Sequence, residues 1–233
     1  MKVPNEQQIL TISLLRIVGY GLLMMAVVDF MNLLIPPELM NPDWEFQIIA
    51  SVIERIPVTF LGIVFVFYED TNYRTPIEKM LLKIISWSCL VFAIFLILAI
   101  PLNINNAFRI YHKYNASINY QLVPRLEVIQ DFQTQIESAD SQETIAKILQ
   151  KQSSTKVKIP ESLDINNFKD SITEKLQKEE TSLQNTAQSS RNKKRYQLLR
   201  KVIKYNLGAL ISIYLLIFVW KHTFWARTDY SWD

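Results

Sequence analysis

Residues 9–35, ILTISLLRIVGYGLLMMAVVDFMNLLI, decide the fold of this chain. Arg16 and Asp29 are the only charges in the stretch. At about 1.5 Å of rise per residue, a helix of this length exceeds the roughly 30 Å needed to cross a hydrocarbon core. Pro36-Pro37 stops it, because proline lacks the N–H that helix continuation requires. Three more stretches repeat the pattern. The second is Phe46–Tyr68, with Glu54, Arg55 and Pro57 inside it. The third is Met80–Ile100, expected to close at Pro101. The fourth is Tyr205–Trp225. A different reading of the second makes Trp44–Ile56 an interfacial helix. A kinked crossing is preferred, because Pro57–Tyr68 alone is too short to span. The expected class is therefore all-α: four transmembrane helices, with the N-terminal one retained as an anchor rather than cleaved as a signal peptide.

The composition agrees. Hydrophobic residues make up 49% of the 233, yet 20% are charged, so the apolar character is concentrated in segments. The formal net charge is +3, unevenly placed. Residues 103–204 hold 17 Lys/Arg and 11 Asp/Glu, about +6; the remainder hold 8 and 11, about −3. Hence the domain reading: 1–102 a three-helix membrane region, 103–204 an extramembrane insert, and 205–233 the fourth crossing with a short tail.

The insert reads as an antiparallel helical hairpin. It has no glycine, and its prolines are Pro124, expected to kink the outgoing arm, and Pro160. Phe108, Tyr111, Ile118, Leu122, Leu126, Ile129 and Ile136 recur at helical spacing on the outgoing side. Phe168, Ile172, Leu176, Leu183 and Ala187 do so on the return. A narrow apolar stripe on otherwise polar helices is the pattern of a coiled-coil seam, here of moderate strength because Gln, Asn and Ser surround it. Asp140 with Glu143 suggests a capping box for a short helix with Ile145, Ile148 and Leu149 on one face. Gln152–Pro160 reads as a loop, and Asp164 as the cap of the return helix. A disordered polar loop is the competing interpretation. Gly19-Tyr20-Gly21 is expected to pack ordinarily, although such a pattern permits close helix approach.

Arg191, Lys193, Lys194, Arg195, Arg200, Lys201 and Lys204 cluster before the fourth crossing. A positive-inside signal nearly suffices to explain them, and attraction to anionic lipid is compatible with it. With both termini on one side, positives near the membrane favour a cytoplasmic hairpin. Within the spans, Asp29 and Arg55 fall at similar depth if the first two helices are antiparallel. An ion pair between them is expected, with Glu54 as competitor or third member. Such groups often mark function, although a structural pair near the boundary is the commoner outcome.

Catalytic signatures are missing. There is no glycine-rich phosphate loop, HExxH, CxxC or nucleophile elbow. His112 and His222 lack a second ligand at helical spacing, and Cys89 reads as an inert buried thiol. Asn115-Ala-Ser117 matches a glycosylation triplet of the kind that arises by chance. Trp220, Trp225, Tyr230 and Trp232 read as interfacial anchors. No cofactor, metal or nucleic-acid partner is expected, and no enzymatic activity.

LLRIVGYGLLMMAVVDFMNLLIPPELMNPDWEFQ (14–47), VIERIPVTFLGIVFVFYE (52–69) and IPLNINNAFRI (100–110) together resemble the cyanobacterial HpsJ-type membrane proteins. The resemblance implies an accessory, non-catalytic role in hormogonium polysaccharide biosynthesis or secretion, at a cyanobacterial plasma or thylakoid membrane. It supplies no catalytic residues. The leading expectation is a membrane scaffold or assembly protein whose arm binds partner subunits or self-associates. Service to a thylakoid photosynthetic complex is one alternative. An oligomeric transporter using Asp29, Glu54 and Arg55 is another, and a signal transducer a third.

Overall fold

In the computed structural model the described residues are 6–68, 74–139, 141, 144–145, 148 and 165–228. Helix α1 is Glu6–Leu33, α2 Pro42–Phe67, α3 Pro76–Glu137 and α4 Ile165–His222; a short α5 is Trp225–Thr228. Each of the first four contains a segment long and apolar enough to cross a membrane. The expected Asp140–Glu143 box, Leu149, the loop 152–160, the Asp164 cap, Tyr230 and Trp232 lie outside the described residues.

Local signals explain the helix starts. Asn41 caps α2: its Oδ1 accepts the Asp43 N–H at 3.1 Å, Pro42 follows at the first helical position, and Asp43 and Glu45 sit in the first turn. That is the favoured order of cap, proline and acid at a helix N-terminus. Helix α3 opens with a reciprocal capping box. The Thr75 N–H donates to Glu78 Oε2 at 3.1 Å and the Glu78 N–H to Thr75 Oγ1 at 3.3 Å.

Of two expectations about proline, the single crossing through Pro57 holds and the stop at Pro101 is corrected. Helix α2 runs unbroken through Pro57, so Trp44–Ile56 is not a separate interfacial helix. Helix α3 does not close at Pro101 but continues through it and through Pro124 to Glu137. A proline forfeits one backbone bond and crowds one carbonyl. The bonds on either side, and packing around Leu96, Ala99 and Asn103, hold the helix across that gap.

The chain forms two compact units: Met1–Ile110 with Leu198–Asp233, and Tyr111–Gln197. These boundaries fall about two turns along the helices from the 102/103 and 204/205 boundaries drawn by hydropathy. Hydropathy marks where apolar side chains stop; packing continues through buried Asn103, Asn106, Ala107 and Ile110, and on α4 through Leu198.

In the first unit the core joins Ile49, Ile53 and Ile56 of α2, Cys89, Ala93, Leu96 and Ala99 of α3, and Ala209 and Leu216 of α4. Gly19 does not pack ordinarily. A Cβ there would lie 2.9 Å from the Gly62 carbonyl oxygen and the Val66 nitrogen, so the α1 and α2 backbones touch. Gly21 faces open space. Without a hydrophobic driving force in lipid, close backbone approach is a main source of helix association. Two polar rungs tie α3 to α4: Ser86 Oγ to Thr223 Oγ1 at 2.8 Å, and Asn103 Nδ2 donating to Asn206 Oδ1 at 2.9 Å. They are about 25 Å apart along α3, close to the thickness of a hydrocarbon core.

In the second unit Ile129, Ile136 and Leu176 are buried, with Phe132, Ile172 and Leu183 packed against them. Ile118, Leu122, Leu126 and Phe168 are half-buried. Phe108, expected to start the stripe, belongs to the first unit and is exposed. Phe132, omitted from the expected stripe, fills the gap between Ile129 and Ile136.

Candidate functional site

The family-like segments meet at the end of the first unit where α1 leaves and α2 enters. The pivot is Met40, whose φ of 71° puts a non-glycine residue in the left-handed region. That conformation costs on the order of 1–2 kcal/mol and persists only where surroundings fix it. Here they do. The Met40 N–H donates to Glu45 Oε1 at 3.1 Å, and Arg109 Nη2 donates to the Met40 carbonyl at 2.9 Å. Arg109 Nη1 also donates to Asn106 Oδ1 at 3.2 Å and stands 3.7 Å from Glu45 Oε2. Asn41 Nδ2 donates to Glu38 Oε2 at 2.8 Å. The PPELMNP turn is thus clamped onto α3, with Ile35, Leu39 and Met40 displayed outward. Asn103 Oδ1 and Asn106 Nδ2 are buried and find no partner among the described residues.

Asp29 and Arg55 pair with each other, and Glu54 takes other partners. Arg55 Nε lies 3.3 Å from Asp29 Oδ2, and its Nη1 donates to the Ser51 carbonyl at 3.3 Å. Glu54 joins neither. Its Oε1 accepts from Lys204 Nζ at 2.7 Å and from the Tyr205 hydroxyl at 3.3 Å. Adjacent residues on a helix point about 100° apart, so one faces α1 while the other faces α4.

The basic stretch also divides. Within the second unit Arg191 donates to Asn119 Oδ1, and Lys194 sits 5.4 Å from the Tyr114 ring centre. Lys204 belongs to the Glu54 pair. Lys193, Arg195, Arg200 and Lys201 are exposed.

At the opposite end of the first unit, arginines cap helix C-termini. Arg74 Nη1 donates to the Val66 carbonyl at 3.2 Å, near the end of α2, and lies over Trp225. Arg227 Nη2 donates to the Trp220 carbonyl at 2.8 Å and stacks 4.3 Å from that residue's ring. Cations suit the negative ends of helix dipoles. Among the described residues no group of three His, Cys, Asp or Glu side chains could hold a metal ion.

In the sequence Arg109 stands out only as a juxtamembrane positive, and Glu45, Asn103, Asn106 and Asn206 do not stand out. A signal existed: asparagines directly after an apolar span, with an arginine one turn on. It lacked the partners, which lie about sixty and one hundred residues away.

This architecture defines a polytopic all-α membrane protein. The model of the HpsJ-like protein family matches residues 10–224, nearly the whole length, and the chain belongs to that family. No curated protein and no solved structure matches it.

Proposed function

We propose that this protein is a non-catalytic membrane scaffold. The unit Tyr111–Gln197 docks partner subunits, and the process served is polysaccharide biosynthesis or secretion, as the family resemblance implies. One observation carries the reading: α3 and α4 both run far beyond membrane-crossing length and build a second compact unit with its own apolar seam. A loop needed only to connect two crossings has no use for such a core. The seam consumes one face of α4. Another face bears a shallow polar trough along Glu174, Lys178, Thr181, Asn185 and Ser189. Such a ladder of polar groups suits a helical partner or a second copy of the arm.

On this reading the arm is cytoplasmic. Exposed Lys193, Arg195, Arg200 and Lys201 lie near an anionic bilayer surface, each worth on the order of 1 kcal/mol of attraction. The clamp at Met40 keeps a short apolar turn in a fixed shape at the membrane boundary. The paired state of Asp29, Arg55, Glu54 and Lys204 favours a structural use of these charges over ion conduction.

Cross-linking mass spectrometry on native membranes tests the proposal, using the arm lysines of 147–178, among them Lys169, Lys175 and Lys178. Cross-links from these lysines to subunits of a polysaccharide-export assembly are expected. Cross-links confined to the chain's own arm would remove the scaffold role. Cross-links to photosynthetic subunits would keep the scaffold and remove the process.

A further inference from the structure

The first unit has a second feature, away from the Met40 clamp and outside the scaffold reading. Helix α1 leans on α2 through Gly19 and Gly62 and leaves a gap toward α3. The gap is an apolar crevice of about 350 Å³, walled by Ala26 and Phe30 of α1, Ile56 and Phe60 of α2, and Ile85 and Cys89 of α3. A larger hollow of about 1000 Å³ runs beside it along α3, from Pro76 to Phe92. The two share Ile84, Ser88 and Phe92 as wall residues.

Depth and charge identify the occupant. The third crossing begins near Met80. At its start, Lys79 and Lys83 line the hollow one helical turn apart. Deeper along the span, Ile84, Val91 and Phe92 line it. Trp87 stands in the wall between, half-exposed, with the Arg227 guanidinium 5.8 Å from its ring centre. Glu78, the acid in the same turn of α3, accepts the Thr75 N–H in the capping box, so its charge serves the helix N-terminus. The rim thus carries two lysines and the floor is hydrocarbon. From Pro76 to Phe92 is about 24 Å of helix, longer than one leaflet of about 15 Å, half of the hydrocarbon core. One lipid therefore fits, from head group to chain. A zwitterionic choline head would bring a cation against two lysines; a singly anionic head would not.

We propose that this hollow binds one anionic phospholipid, its phosphate held by Lys79 and Lys83 and one acyl chain laid past Trp87 into the crevice over Cys89. The probe is brominated lipid in nanodiscs holding the full chain. The Trp87 signal is the emission of wild type minus that of Trp87→Phe. At equal mole fraction, brominated phosphatidylglycerol should quench that signal at least twofold more than brominated phosphatidylcholine. Lys79→Gln with Lys83→Gln should equalise the two lipids while helicity by circular dichroism is unchanged. Ser88→Leu, which narrows the junction of the two hollows, should weaken quenching by phosphatidylglycerol with both lysines intact. Equal quenching by the two lipids in wild type overturns the proposal, as does a preference that survives loss of both lysines. Loss of the preference on adding millimolar inorganic phosphate would show a site for a small anion and overturn the lipid assignment.

Discussion

The two units solve the same problem, pairing α3 with α4, in opposite solvents. The membrane unit pairs them through small and polar groups: Ala93 and Ala99 share a core with Ala209, and the Ser86–Thr223 and Asn103–Asn206 rungs join the two helices, while Gly19 against Gly62 brings α1 onto α2. The arm uses a stripe in which Ile129, Ile136 and Leu176 are the buried members. In lipid, apolar side chains gain nothing by leaving their surroundings, so helices hold by close approach and by hydrogen bonds. In water, burial of a few aliphatic side chains is the driving force. The membrane unit should therefore suffer most from added volume, and the arm from lost apolar volume or added charge.

The largest effect is expected from Ile136→Asp, which puts a carboxylate in a fully buried seam position. A loss above about 3 kcal/mol follows, since removal of such a side chain alone costs about 2–5 kcal/mol. Protease should then cut residues 111–197, while carbonate washing still leaves the chain in the membrane. Retention of the wild-type digestion pattern would break the contrast. Next comes Gly19→Leu, expected to cost about 1–3 kcal/mol through overpacking against α2 backbone. Gly21→Leu, in open space, should be silent in the same denaturation series. Equal effects would mean that the α1–α2 contact is not set at Gly19.

Smaller effects sharpen the comparison. Arg55 and Asp29 have side chains 40% and 54% exposed, which limits their pair to about 1 kcal/mol or less. Arg55→Gln should lose that amount, and the double exchange Asp29→Arg with Arg55→Asp should regain it. Failure of the exchange would show that each residue acts through other contacts, such as Arg55 with the Ser51 carbonyl. The smallest effect belongs to the arm surface. Lys178 Nζ donates to Glu174 at 2.6 Å and holds that carboxyl below its ordinary value of 4.5. A depressed carboxyl contributes stability above its unfolded pKa and loses it as pH falls through the lower folded value. Acidification below pH 4.5 should therefore loosen the wild-type arm slightly more than the Glu174→Gln arm, by amide exchange around residues 170–182.

Much of this molecule was legible in the chain itself. Apolar runs bounded by Pro36-Pro37 and by charged stretches located the four crossings, because helix length and hydropathy are local sums. The 3.6-residue period located the arm seam for the same reason. Even the depth of Asp29 and Arg55 followed from counting residues along antiparallel helices. Pro101 misled because a proline's local cost was weighed without the packing on both sides of it.

Tertiary structure alone decided the partners. Whether Glu54 or Arg55 meets α1, that Arg109 holds the Met40 carbonyl, and that Gly19 rather than Gly21 touches a neighbour depend on how each helix is rotated about its own axis. That rotation is set by interlocking shapes from elements many residues apart, and no sum over neighbours in sequence contains it.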